Sequence, residues 1–449
     1  MKLRNLFLAS VACAGLFTAC SNEVDEVIDN GGNGVENAGE AYASFAIQFP
    51  SAAGTRAAAQ EVGTTEENTV KDVTLLFFDA SNKNLADIKV IPVANLERNA
   101  ATYTAKDLVV TKGSREIYAF VNAQPAIKAF SPNDNGKAHS VITGIGTETA
   151  ASMSGANGFT MSNTETVSAT NVTYTTKEEA NQNAITIKVE RTVAKVQYTG
   201  NNFAFDIKRA DGAKTGTVTL TDMELINKND KYFYLRRVSA NVDGSGFVIG
   251  GAEIDGTNYV VDPNFTEKNP TGTAWGKESK TIAQDATFYC LENTMTAEAQ
   301  YNVVTTGAMF KAKFVIAGGQ ADENIYRYNG VLYNKEADVK TAANITENTT
   351  GWTIGQWAAK SVTFYAGGIC YYPYWIKHID NSNPTVMGTM EFGVVRNNVY
   401  KLAVTSIKEI GAPTDEVDPE TPDEVLSTYL SVKVEVKEWT VRPNQGIEL

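Results

Sequence analysis

Two residues of this 449-residue chain have surroundings that invite covalent chemistry, and both read as substrates rather than catalysts. Cys20 follows a basic start (Lys2, Arg4) and a short apolar run from Leu6 to Phe17. The small Ala19 stands before it and the polar Ser21-Asn22-Glu23 after it. A thiol so placed is expected to accept a thioether-linked diacylglycerol, with cleavage just ahead of it; the alternative is an ordinary secretory signal with an incidental cysteine. Arg56 is the one basic residue between Arg4 and Lys71, and it sits in a run of small residues from Ser51 to Gln60. Exposed stretches of small residues are where proteases nick a chain, so processing is expected between Arg56 and Ala57.

Catalysis by the chain itself has no positive support. The two histidines, His139 and His378, stand far apart, without cysteine or histidine neighbours at metal spacing. No H-E-x-x-H, C-x-x-C, G-x-S-x-G or Walker loop occurs. Gly250 to Gly256 is glycine-rich but lacks the Lys-Ser/Thr of a phosphate loop and reads as a turn. Asn133 to Gly136 suggests an Asx turn without the spacing of a calcium loop. No catalytic residue, metal site or cofactor is expected. The net charge is −13; removal of residues 1–56 takes away three bases and six acids and leaves −10. Such a surface argues against nucleic acid or an anionic membrane face as partner. Apart from Cys20, only Cys290 and Cys370 survive processing, as one disulfide or as two buried thiols.

The elements that would position these residues begin with a targeting segment, 1–19, too short to span a bilayer. Phe17-Thr18-Ala19-Cys20 resembles a lipobox. Residues 21–40 carry no apolar face and read as a disordered tether. Ala41 to Phe49 then alternates, with Phe45, Ile47 and Phe49 on one side, and Pro50 stops it. At the other end, after an acidic, proline-punctuated run (409–428), Leu430, Val432, Val434 and Val436 alternate with Ser431, Lys433, Glu435 and Lys437. That is a strand with one dry face, carried on a flexible, negatively charged tether and able to pair with a sheet in its own chain or in another. The slip in phase after Val436, before Trp439 and Val441, predicts a bulge or bend.

Between these ends, short apolar runs recur with turn signals, and Tyr, Thr, Val and Phe are plentiful: an all-β profile. Strands are expected at 73–78, 115–122, 184–191, 193–198, 217–220, 309–316, 325–328 and 399–405. Brief helices are expected at Glu178–Asn183 and within Thr341–Trp357. A domain break is placed near residue 183. Tyr371-Tyr-Pro-Tyr-Trp375 has the composition to stack on sugar rings, although such runs usually pack within β proteins.

Several segments together carry a family likeness: Val189-Glu-Arg-Thr-Val-Ala-Lys195, Cys290-Leu-Glu-Asn-Thr294, Cys370 to Trp375, Gly393-Val-Val-Arg-Asn-Asn-Val-Tyr-Lys-Leu402, Ser406 to Gly411, and the tail Leu430 to Val441 with its Trp439. The chain resembles the type V fimbrillins of Bacteroidia, in particular the shaft subunit of the short fimbriae. The resemblance implies two transthyretin-like β-sandwich domains, a detachable N-terminal strand and an exchangeable C-terminal strand. It divides the chain into a lipoprotein signal (1–19), a lipidated tether with the removable strand (20–56), an N-terminal sandwich (57–183), a C-terminal sandwich (184–408), an acidic linker (409–428) and a donor strand (429–449).

The implied scheme is a precursor lipidated at Cys20 and shuttled to the outer membrane. An Arg-specific protease cuts it after Arg56. The vacated groove is filled by Leu430, Val432, Val434, Val436, Trp439 and Val441 of another copy, forming an extracellular fimbria for adhesion. Implied partners are copies of the chain itself, anchor and tip subunits, the protease, and host or bacterial surface receptors. The alternatives are a surface glycan-binding lipoprotein using Tyr371–Trp375 as an exposed platform, or a non-polymerising fimbrial anchor or accessory lipoprotein.

Overall fold

The computed structural model describes residues 40–50, 60–155, 158–172, 174–251, 257–266, 276–419, 421–424 and 430–440. Cys20, Arg56, Ala57, Val441 and the signal segment lie outside them.

Alternation of apolar and polar residues builds the first sheet. Its strands are drawn from β1 (Glu40–Gln48), β3 (Asp72–Asp79), β4 (Leu85–Pro92), β5 (Glu97–Asn99), β6 (Thr102–Thr111), β7 (Gly113–Val121), β8 (Met161–Asn163), β9 (Val167–Val172) and β10 (Ile185–Arg191), while β2 (Gln60–Val62) belongs elsewhere. Their order is β4-β3-β7-β8-β10-β1-β6-β5, with β9 beside β7. One face buries Phe45, Ile47, Phe49, Val73, Leu75, Phe77, Ile117 and Ile187 together.

The chain crosses to a second body at Thr192. There β11 (Val193–Tyr198), β15 (Thr287–Leu291), β18 (Asn398–Ile407) and β19 (Leu430–Thr440) form a sheet of order β2-β19-β18-β11-β15. Facing it are β12 (Ala204–Lys208), β13 (Lys214–Lys228), β14 (Gly276–Thr281), β16 (Gly307–Ile316) and β17 (Ile369–Trp375). The apolar faces of these two sheets share one core, from Val196 and Tyr198 to Phe310, Tyr372, Tyr400 and Leu402. This is sheet-on-sheet packing. Residues 185–191, expected beyond the break near residue 183, pair instead with β1 and β8 of the first sheet. The strand pair read at 184–198 is thus split between two sheets.

The brief helices form at Lys177–Gln182, Glu336–Ala342 and Ile354–Ala358. Thr176 caps the first, its side chain accepting from Glu179 N, and Glu178 and Glu179 favour the positive end of the helix. Ile354–Ala358 opens with a capping box, Thr353 and Gln356.

Three expectations need correction. First, the C-terminal strand is not free. It is the antiparallel neighbour of β18 in its own chain, from Asn398↔Glu438 to Ile407↔Leu430. An apolar alternation specifies which face is dry but not which sheet dries it, and β18 offers a ready edge. Second, no bulge follows Val436. The register runs unbroken from Glu438 to Val432, and the irregularity lies opposite, between Val404 and Ser406. The phase slip has another cause: Val432, Val434 and Val436 face the sandwich core, while Trp439 faces the junction with the first sheet. Third, the described part of the acidic run 409–428 is docked. Ile410 is buried. Tyr371 and Ala412 exchange backbone hydrogen bonds of 2.9 Å. Asn302 N donates to Thr421 O at 3.1 Å, and Lys377 Nζ lies 2.8 Å from Glu424.

Asp423 anchors that docked run. Its side chain accepts from the Thr305 hydroxyl, and its other oxygen, Oδ1, has no partner among the described residues. Burial, followed by the Thr305 bond acting the other way and the charge of Glu424, pushes its carboxyl up to about 7. The folded carboxyl therefore keeps a proton that the unfolded one releases near pH 4. That contribution is complete below the unfolded value and is lost as pH rises through about 7. Asp423→Asn should flatten this component. Between pH 5 and pH 8 the wild type should lose on the order of 2–3 kcal/mol more than the variant, read by urea unfolding at each pH.

Candidate functional site

The place of a strand in a sheet is measured by what its side chains and edges touch. β1 lies inside the first sheet, parallel to β10 (Phe45↔Ile185, Ile47↔Ile187) and antiparallel to β6 (Glu40↔Thr111 through Gln48↔Thr102). Phe45, Ile47 and Phe49 are almost fully buried. The Phe45 ring meets Phe77 edge-on at 5.5 Å, and Phe49 meets Tyr103 at 5.3 Å. Each such side chain contributes roughly 1.5–3 kcal/mol by leaving water. Polar ties add to this. Ser44 Oγ donates to Asn181 Oδ1 at 2.5 Å, and Asn181 Nδ2 donates to Asp107 Oδ1 at 2.9 Å. Asp107 sits at φ +57° where the β1–β6 register shifts between Ala43 and Phe45. Taking residues 40–49 away would bare the edges of β6 and β10 along one slot, an arrangement that templates another strand.

The C-terminal strand is held at two places of different character. Leu430 is buried in the sandwich core and Val432, Val434 and Val436 rest half-buried on it; among the described residues its outer edge is uncovered until β2 begins. At Trp439 the hold tightens, and this residue is fully buried. Its indole stacks on Tyr289 (6.0 Å, 9°), meets Phe159 edge-on at 5.4 Å, and lies 4.3 Å beneath the Arg191 guanidinium, a cation–π contact. Trp439 N donates to Asn397 O at 3.0 Å, and Arg191 Nη1 donates to Trp439 O at 3.1 Å. Yet among the described residues the indole Nε1–H has no hydrogen-bond partner. A buried orphan donor costs on the order of 1–3 kcal/mol, so the seat is strong but imperfect.

Charged side chains line this junction. Lys195 Nζ lies 2.8 Å from Glu67, and the Tyr289 hydroxyl donates to Glu67 at 2.7 Å. Burial opposes the Glu67 charge, but those hydrogen bonds and the Lys195 charge hold its carboxyl below the ordinary range. Burial pushes Arg191 down to about 9, still protonated at neutral pH. Nearby, Arg396 and Glu292, both wholly buried, meet through two nitrogen–oxygen contacts of 3.1 and 3.2 Å. Arg236 grips Glu190 in the same bidentate way. Arg396 also donates to Phe233 O at 2.7 Å. The chain turns at Arg396 and Asn397, and the arginine within that turn is a buried ion-pair partner. Gly393, at φ +139°, passes so close to Asn293 that a Cβ would stand 2.4 Å from its carbonyl oxygen. The common location of these segments is not legible from their separate places in the sequence. The signal for it is charged residues within or at the end of apolar strand runs: Glu190, Lys195 and Glu292.

Other candidates resolve into packing. Tyr372 and Trp375 are buried, and the Tyr372 hydroxyl donates to Glu409 O at 2.9 Å, so Tyr371–Trp375 is no exposed sugar platform. Cys290 and Cys370 are free and buried; burial pushes their thiols up to about 12 and about 11. Thiols so far above neutral pH are poor nucleophiles. His378 Nδ1 lies 2.7 Å from the Tyr400 hydroxyl, and His139 Nε2 lies 3.3 Å from Glu116.

Comparison with known proteins agrees with this geometry. A model of the major fimbrial subunit protein (FimA) matches residues 41–221, starting on β1. A second, of the C-terminal part of fimbrillin, the type IV major fimbrial subunit protein, matches residues 363–445 and takes in β17, β18 and β19. No curated protein sequence matches the chain. Among solved structures, a candidate cell-adhesion protein of Parabacteroides distasonis superposes with a TM-score of 0.52 at 14% identity, over 89% of this chain and 98% of its own. The fimbrilin FimA of Porphyromonas gingivalis does so with a TM-score of 0.50 at 15% identity, over 90% and 98%. These identities bear on fold alone. With the two family models together covering more than half of the chain, the chain belongs to the fimbrillins, the major fimbrial subunit family, whose members are structural proteins rather than enzymes.

Proposed function

We propose that the chain is the precursor of a fimbrial shaft subunit that polymerises by exchanging strands. The observation that carries this reading is the placement of β1: the first strand of the described residues, set into the middle of a sheet and supplying Phe45, Ile47 and Phe49 to the core. It is joined to the rest through the stretch that contains Arg56. A cut after Arg56 detaches it, and the slot between β6 and β10 then exposes core and two unpaired edges. The filler is β19 of another copy. It is chain-terminal, eleven residues long against nine for β1, and alternates Leu430, Val432, Val434 and Val436 with polar residues. Backbone hydrogen bonds give such a strand its affinity, and its alternate side chains fill the groove. Once closed, the joint lasts because unfolding is slow.

In this scheme Cys20 carries the lipid that holds the precursor at the outer membrane. The protease is Arg-specific, anchor and tip subunits close the ends, and the fibre supports adhesion. The uncut chain is self-inhibited on both counts, since its groove is full and its donor is docked. Arg56→Ala should abolish SDS-resistant ladders of the mature protein on unheated gels while leaving the precursor folded. Normal laddering from that variant would count against the scheme. The N-terminus of the fibre-borne form should be Ala57.

A further inference from the structure

We infer that Glu61–Asn68 is a latch on the C-terminal strand, and that its tie to β1 keeps Trp439 seated until the chain is cut. The inference rests on the strand-exchange reading above. β2 is what covers the outer edge of β19 among the described residues, in parallel register: Gln60↔Glu438, Glu61↔Trp439, Val62↔Thr440. The Glu61 carboxylate lies 2.9 Å from Lys401 on β18 and 3.7 Å from Lys437 on β19, so it staples both strands. The next residue but one, Gly63, runs against the indole; a Cβ there would stand 2.9 Å from Trp439 Nε1.

The following loop closes on itself. Thr64 N donates to Glu67 at 2.7 Å, and Asn68 Nδ2 donates to Gly63 O at 2.8 Å. Glu67 is anchored on Lys195 and Tyr289, and Arg191 reaches Asn68 Oδ1 at 2.5 Å and Trp439 O at 3.1 Å. The indole is thus boxed between this loop and Tyr289, and it cannot leave while the loop stays in place.

A three-residue strand has few hydrogen bonds of its own. In the sequence it stands between two strands of the first sheet, β1 upstream and β3 downstream, and in this inference that double attachment is what keeps it in place. Such tethering makes the contact effectively intramolecular at high local concentration. A cut after Arg56 frees the upstream flank, and the latch can then fray and let Trp439 out. Groove opening and donor release are thereby coupled. The coupling has a purpose in a polymer: a precursor with a loose tail and a full groove could dock on a growing end but accept nothing, and would stop growth.

Hydrogen exchange on dilute, monomeric protein tests this. In the full chain cut by an Arg-specific protease, the peptide spanning 430–440 should exchange at least tenfold faster than in the uncut chain. The peptide spanning 193–198 should keep its rate. Glu61→Lys, which sets a third ammonium beside Lys401 and Lys437, should accelerate 430–440 without any cut and without freeing 40–48; Glu61→Gln should do so to a smaller degree. An unchanged rate for 430–440 after cutting overturns the latch. Ladders that form with that rate unchanged would leave strand exchange standing and remove the latch. Fast exchange without ladders would support the latch and remove strand exchange.

Discussion

Removing residues 430–449 should cost the uncut chain at least as much as Trp439→Ala alone, and that single change should cost about 3–5 kcal/mol. The C-terminal strand is part of its own chain's fold, so truncation is not a neutral trimming of a tail. It empties the seat among Tyr289, Phe159 and Arg191, and it strips β18 of its outer neighbour. It also leaves Arg191 buried without the Trp439 carbonyl it donates to. Trp439→Phe should cost less than half of the alanine change. Phenylalanine keeps most of the stacking and removes an indole N–H that has no partner. Urea unfolding of the three variants measures the series. Laddering should vanish for the truncation, because the donor is gone. A truncated chain as stable as the full one would show that β19 is only loosely laid on its own sheet.

How far the sequence reveals this arrangement depends on the kind of information each residue carries. Strands β3, β7, β11, β16 and β18 are legible because period-2 alternation and β-branched or aromatic residues are local properties. The buried triplet Phe45, Ile47 and Phe49 is legible for the same reason. Partner choice is not local. Nothing in Leu430–Val436 distinguishes its own β18 from another copy's β6 and β10, since all three edges present the same backbone and an apolar floor. The parity of Trp439 looked like a bulge because the sequence does not show that this sheet has a second wet-looking face that dries at its end. The buried charges were hidden most deeply. Glu292 and Arg396 are 104 positions apart, and Arg191 and Trp439 are 248 apart. Read locally, Glu292, Arg396 and Arg191 each pass for ordinary surface charges. Docking of the acidic run was masked by its composition, which resembles a solvated linker until Asp423 and Glu424 find Thr305 and Lys377.

Those buried charges lead to the second large effect. Arg396→Met should destabilise the chain by about 3–5 kcal/mol, because it leaves Glu292 charged, buried and without a counterion. The carbonyls of Phe233 and Tyr234 lose their donor as well. Pairing the change with Glu292→Met should recover more than half of the loss, since a buried ion pair replaced by apolar groups of similar size is often near neutral. The location predicts a further signature. Glu190 lies in β10, a wall of the slot that β1 fills, and Glu292 directly follows β15. Arg396 stands two residues before β18, on which the C-terminal strand rests. Glu190 also feels the charges of Arg396 and Glu292, so the two ion pairs hold β10 and the start of β18 in one frame. Hydrogen exchange should accelerate in both β10 and β18 for Arg396→Met, whereas Trp439→Ala should act on β19 and leave β10 protected. Acceleration confined to β18 would mean that the ion pairs hold only the second sheet, and that acceptor and donor are positioned independently.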